Sequence, residues 1–215
     1  MPRLDSNACP RYSSSVAAEP LSRAGLLRAA FFHYARVLGN GTRAVHEVAD
    51  ALGATPDETV LDFACGCGWF CRAVPGQYLG IDLDRDYIRF ARWRWGSPHR
   101  RFEAMALEAL PERTRFDKSL MASVLHHLPD AEADTVLGRL ARIVRRRLVV
   151  LDLDPGASRG VQSFLLAHDR GRHVRSVDRQ RALLEHHFRV VEQRGFPNTV
   201  HTVVHVLFAC EPIAA

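Results

Sequence analysis

Short apolar runs alternate along this chain with longer stretches in which apolar residues recur every three or four positions. Residues 59–63, 78–82, 101–105, 116–123 and 147–152 each read as a short strand, and 85–95 and 130–144 carry the helical period between them. Such alternation predicts a parallel sheet with helices on both faces. The two ends differ from this middle. Two helices are expected first, over 21–38 and 42–52, separated by Gly39-Asn40-Gly41 and closed by Gly53. Last come a helix over 177–187, capped by Ser176, and strands over 188–193 and 201–210. The link Gly195-Phe196-Pro197-Asn198 is short enough for a hairpin, so the last of seven strands is expected to run antiparallel.

Composition narrows the class without naming a function. A chain of 215 residues, 47% hydrophobic and 25% charged, can bury one full core and is not globally disordered. Residues 1–20, with three prolines and Ser13-Ser14-Ser15, read as a flexible N-terminal arm. Residues 21–215 read as a single domain, with a helical N-terminal cap over 21–55 and an insertion over 156–176. No run approaches the roughly 18 apolar residues a membrane span needs. The net charge of +5 invites a nucleic-acid reading, but 28 of the 29 basic residues are arginine and only Lys118 is lysine. That bias is a property of overall composition, and nucleic-acid binding is not expected from it. Five cysteines, an odd number in a chain this size, point to a reducing cytoplasm. Cys65, Cys67 and Cys71 do not have a usual zinc spacing, so no metal is expected.

The chemistry concentrates at Val60-Leu61-Asp62-Phe63-Ala64-Cys65-Gly66-Cys67-Gly68. A strand feeding a small-residue turn and then a helix lets main-chain N–H groups approach a ligand closely. Asp82 follows 20 residues after Asp62, at the end of the next strand, where a carboxylate can accept from both hydroxyls of a ribose. With these features the chain resembles the class I S-adenosylmethionine-dependent methyltransferases. Asp62, Ala64, Gly66 and Gly68 stand in the places of that family's first motif, Asp-x-Gly-x-Gly-x-Gly, and Gly80-Ile81-Asp82 in those of the second. Leu107-Glu108-Ala109-Leu110-Pro111 resembles the third motif, and Phe116-Asp117 with Val124-Leu125-His126-His127-Leu128 the fourth. A nicotinamide-binding protein would instead carry Gly-x-Gly-x-x-Gly, and Cys71 stands where its third glycine would be.

The resemblance implies a Rossmann-like three-layer α/β sandwich with a mostly parallel seven-stranded sheet, and S-adenosyl-L-methionine as cofactor. It places Asp62, Ala64, Cys65, Gly66, Gly68, Asp82, Leu83, Ala106, Leu107 and Ala122 at that cofactor. Two positions depart from the family. Ala64 replaces the first glycine, and Ala106 stands where an aspartate usually receives the adenine amino group, leaving adenine to main-chain N–H groups and apolar walls. The acceptor is expected beside the ends of the fourth and fifth strands, near Tyr34, His127, Asp154 and Arg170. The lid over it is expected from the helices around Phe31-Phe32-His33-Tyr34 and from the insertion, where Arg170, Arg172 and Arg175 could meet an anionic acceptor. His127 is the candidate general base, although it could equally fix its loop, and Asp154 reads as a cap. The acceptor implied is a small molecule, methylated on oxygen, nitrogen or carbon. The alternatives are an RNA- or protein-directed enzyme and a scaffold that binds the cofactor without catalysis. Trp93 and Trp95 read as packing residues, and Arg145-Arg146-Arg147 as a solvated helix end.

Overall fold

A computed structural model describes residues 22–157, 173–198 and 203–213. The arm over 1–20 and residues 158–172 of the insertion, Arg170 and Arg172 among them, lie outside the described residues.

One seven-stranded sheet organises the chain: β1 (Thr59–Phe63), β2 (Gln77–Asp82), β3 (Arg100–Ala104), β4 (Phe116–Ala122), β5 (Val144–Leu153), β6 (Phe188–Pro197) and β7 (Val204–Pro212). Their spatial order is β3-β2-β1-β4-β5-β7-β6, with β7 antiparallel to both of its neighbours. The order reverses direction between β1 and β4, which pair in parallel. Carboxyl ends of the strands at such a switch point leave a crevice that helices do not fill.

Strands buried on two faces need apolar residues at consecutive positions, and β1 and β4 supply them. Leu61, Leu79, Met121, Leu148 and Val150 face one layer, made by α3 (Asp130–Ile143) and α4 (Val177–Glu185). Val60, Tyr78, Leu120, Val149 and Leu151 face the other, made by α2 (Arg85–Trp95) and the second half of α1 (Arg23–Leu52). No helix among the described residues is long and apolar enough to cross a membrane.

Four local readings change. The two expected N-terminal helices run as one element, α1, kinked at Gly41, whose φ of 60° and ψ of −170° only glycine adopts readily. The helix expected after the glycine turn is a single 3-10 turn, Trp69–Ala73, because Val74-Pro75-Gly76 leaves too little chain before β2. Strand β6 absorbs Gly195-Phe196-Pro197, and the turn begins at Asn198, whose N–H donates to Val203 O at 2.8 Å. Arg145, Arg146 and Arg147 belong to β5 and not to a helix end. There Arg146 pairs with Glu58 at 2.8 Å, and Arg147 donates to Ala51 O at 3.0 Å. These contacts pin the sheet edge opposite the crevice, where buried Lys118 bridges Glu58 at 2.9 Å and the Gly53 carbonyl at 2.6 Å. Of these cations Lys118 is buried, whereas the Arg146 side chain stays 64% exposed.

Candidate functional site

At the carboxyl end of β1 the backbone turns through three left-handed residues, Ala64 at φ 55°, Gly66 at 53° and Gly68 at 75°. Only the first carries a side chain. A second non-glycine residue in this region, Ser123 at φ 55°, follows β4 directly alongside. Both stand at the switch point, where such backbone strain often accompanies function. A Cβ on Gly66 would lie 3.0 Å from Phe32, and one on Gly68 2.6 Å from Phe102, so the turn is packed from both sides.

Asp82 ties the two acidic motifs together. Its carboxylate accepts from Gly66 N–H at 2.8 Å and from Asp84 N–H at 2.8 Å, and its carbonyl accepts from Met105 N–H at 3.0 Å. The last bond brings Ala106 and buried Leu107 beside Asp82 and the exposed Leu83. Asp62 is buried, and the Tyr78 hydroxyl donates to it at 2.6 Å.

Phe32, His33, Asp62, Ala64, Cys65, Cys67, Trp69, Phe70 and Ala122 enclose a narrow recess above the turn. The first half of α1 roofs it. Arg28 grips Asp84 and Asp86 at 2.7 and 2.9 Å, Phe32 stacks on Tyr87 with ring centroids 4.5 Å apart, and the Cys67 thiol donates to Ala29 O at 3.3 Å. Burial pushes the Cys65 thiol well up and the Cys71 thiol to about 12, so neither is a thiolate at neutral pH. No group of three or more His, Cys, Asp or Glu side chains among the described residues could hold a metal ion.

After β4 a 3-10 turn, Leu125–His127, presents two histidines whose rings lie 4.1 Å apart. His126 is buried, and its Nδ1–H donates to Asp152 Oδ1 at 2.5 Å. His127 is exposed. Asp154 accepts from Gly156 and Ala157 N–H at 2.9 and 3.2 Å.

The structure gathers Asp62, Ala64, Cys65 and Ala122 around the recess and sets Gly66, Gly68 and Asp82 against it. The Met105–Asp82 main-chain bond sets buried Leu107 and Ala106 next to the strand end that carries exposed Leu83, while Tyr34 stands exposed on α1. Three readings are corrected here. Arg175 is not free for an anionic acceptor, because its guanidinium donates to Asp130, Leu125 O, His173 O and Leu128 O at 2.5 to 3.0 Å. Trp93 does not pack in the interior and is 74% exposed. Phe32 and His33, read as a lid on the acceptor, line the recess at the glycine turn together with Trp69 and Phe70. Nothing local in the sequence shows that recess, since the fold alone brings these residues together.

Residues 60–147 match a family described as a methyltransferase domain. The fold is similar to an N-methyltransferase, NodS, from Bradyrhizobium japonicum WM9 in complex with S-adenosyl-L-homocysteine (17% identity over 83% of this chain and 91% of that one, TM-score 0.66). It is also similar to magnesium protoporphyrin IX methyltransferase from Synechocystis PCC 6803 with bound S-adenosyl-L-homocysteine (18% identity over 89% and 98%, TM-score 0.64). A third similar fold is a putative methyltransferase of Haloferax volcanii in complex with the Trm112 activator (13% identity over 89% and 96%, TM-score 0.69). No curated protein matches the chain.

Proposed function

We propose that this chain is a class I S-adenosylmethionine-dependent methyltransferase that methylates an oxygen, nitrogen or carbon atom of a small molecule. The observation that carries this reading is the roofed recess beside the Asp82-braced glycine turn. The residues fit the cofactor. Gly66 and Gly68 leave the close approach open, and two buried side-chain nitrogens of the recess, His33 Nδ1 and Trp69 Nε1, make no hydrogen bond. Asp82 would hold the ribose, since a carboxylate has about four acceptor positions and can serve hydroxyls beside its main-chain bonds. Leu83, Ala106 and Leu107 would line the adenine with apolar surface and main-chain N–H groups. Asp62, Ala64, Cys65 and Ala122 would surround the methionine part.

S-Adenosylmethionine supplies a methyl group already activated on a sulfonium, so the protein's main task is alignment in a dry site. Phe32 and Phe70 exclude water there. Where the acceptor must lose a proton, exposed His127 takes it, and His126, held by Asp152, fixes the turn that carries His127. Tyr34 and Asp154 would border the acceptor. Neighbours named for small substrates support this reading, geranyl diphosphate C-methyltransferase from Streptomyces coelicolor A3(2) among them. The thiols of Cys65, Cys67, Cys71 and Cys210 agree with a reducing cytoplasm.

The Trm112 complex of the Haloferax neighbour favours a second reading, an RNA- or protein-directed methyltransferase that works with a partner protein. Labelled S-adenosylmethionine, incubated with the protein and separately with small-molecule, RNA and protein fractions of a cell extract, decides between them. Label in the small-molecule fraction that disappears with Asp82→Ala supports the first. Label confined to RNA or protein overturns it.

A further inference from the structure

Two buried nitrogens are left without partners around one small space. His33 is 6% and Trp69 8% exposed, both line the recess, and neither His33 Nδ1 nor Trp69 Nε1 makes a hydrogen bond. An unpaired buried polar group costs roughly 1–3 kcal/mol, so two of them on neighbouring residues that line one recess call for a ligand.

The chemistry of the walls gives the polarity of that ligand. An indole N–H only donates, so Trp69 calls for an acceptor, and the Arg72 guanidinium 4.6 Å from its ring centre favours an anionic one. Burial, then Arg94 and Arg72, holds the His33 imidazole below its ordinary value, so it is neutral at pH 7 and can accept a hydrogen bond. Asp62 lines the same recess and favours a cation beside it. The shortened connection to β2 gives the reason for using side chains. In place of a full helix, the glycine turn leads into a five-residue 3-10 turn whose N-terminus has no side-chain cap.

Resting on the methyltransferase reading above, we propose that His33 and Trp69 hold the amino-acid end of S-adenosylmethionine. Its α-carboxylate accepts from the Trp69 indole N–H, and its ammonium donates to His33 Nδ1 beside Asp62. The N-terminal helix α1 is then part of the cofactor site as well as its roof, and the Arg28 contacts to Asp84 and Asp86 keep His33 in place.

Two ligands separate this inference from the reading it rests on. S-Adenosylhomocysteine carries the amino-acid end, and 5′-methylthioadenosine has the same nucleoside and sulfur without it. Calorimetric titration of the full chain is expected to show about tenfold weaker binding of S-adenosylhomocysteine to His33→Phe and to Trp69→Phe, with 5′-methylthioadenosine unchanged. Asp82→Ala is expected to weaken both ligands. A ligand-induced change in tryptophan fluorescence is expected in the unaltered protein and not in Trp69→Phe. Melting temperatures without ligand should hold or rise in both aromatic variants, because each removes an unpaired buried nitrogen. Equal weakening of both ligands, or none, in the His33 and Trp69 variants overturns the inference while an Asp82 effect leaves the cofactor reading standing. Failure of the unaltered protein to bind S-adenosylhomocysteine overturns both.

Discussion

Asp152 holds His126 at two points, through Nδ1–H at 2.5 Å and through the main-chain N–H at 3.2 Å. The carboxylate is 1% and the imidazole 5% exposed, so water cannot replace either bond. Asp152→Ala therefore strands three buried donors, the Leu153 N–H included, and is expected to cost about 2–4 kcal/mol. For a chain of this size that lowers the melting temperature by roughly 5–15 °C. His127→Gln, altering an exposed ring, should leave the melting temperature within about 2 °C while slowing transfer to an acceptor that must be deprotonated. Melting curves of both variants, with the pH profile of transfer for His127→Gln, separate the positioning pair from the proton acceptor. An unchanged melting temperature in Asp152→Ala would refute the positioning role.

Ala64 adopts φ 55°, a conformation that costs an L-residue about 1–2 kcal/mol and glycine almost nothing. Glycine also loses more freedom on folding, about 0.4–1 kcal/mol, so the two effects partly cancel. Ala64→Gly is expected to raise stability by about 0.5 kcal/mol, and Ala64→Val to lower it by more than 1 kcal/mol because a β-branched residue fits this region worst. Denaturant unfolding of the pair checks the sign. A destabilised Ala64→Gly would mean that the methyl group packs more favourably than the strain costs.

Much of the fold was legible because it depends on local pattern. The apolar runs at 59–63 and 116–123, the helical period over 85–95 and the Ser176 cap need only neighbouring residues to be read. What escaped depends on distance in space. The Arg145-Arg146-Arg147 run looks like a helix end until Glu58 and Ala51, far away in sequence, are seen to receive it. Arg175 looks like a surface cation until its guanidinium is found among Leu125, Leu128 and His173 carbonyls. The glycine turn and Asp82, legible as two motifs, lie together through the Gly66 N–H bond to the Asp82 carboxylate. The recess beside them was not legible, because Phe32 and His33 reach it only through the packing of α1 on α2.

The Arg28 latch on α2 is electrostatic and largely solvent-facing, with its side chain 51% exposed, so it contributes little to global stability. Its effect is local. Burial pushes the Asp84 carboxyl up, but the Arg28 guanidinium and the Tyr87 and Asp86 N–H groups outweigh this and hold it below the ordinary carboxylate value. A carboxyl lowered in the folded state stabilises it above the unfolded value near 3.8, and that stabilisation is lost as pH falls through the folded value. Amide hydrogen exchange over residues 23–34, relative to the rest of the chain, should therefore accelerate below about pH 4 and in high salt. In Arg28→Ala it should already be fast at pH 7, with the melting temperature lowered by less than about 4 °C. Exchange indifferent to Arg28→Ala would show that Phe32 stacking and the Cys67 contact hold α1 without the latch.

Arg175 is the opposite case, a cation 7% exposed that ties the turn carrying His126 and His127 to the start of α4. Its fork reaches the Leu125, Leu128 and His173 carbonyls and Asp130 together, which a lysine ammonium at the end of a single stem cannot do. Arg175→Lys is therefore expected to leave buried carbonyls unpaired and to cost about 2–3 kcal/mol, a fall of roughly 4–12 °C in melting temperature. Because the lost bonds are at the turn, S-adenosylhomocysteine affinity should stay within about twofold while methyl transfer slows at least tenfold. Calorimetry and turnover measured on the same preparation test this split. If cofactor affinity falls as steeply as turnover, Arg175 supports the cofactor site as well as the turn.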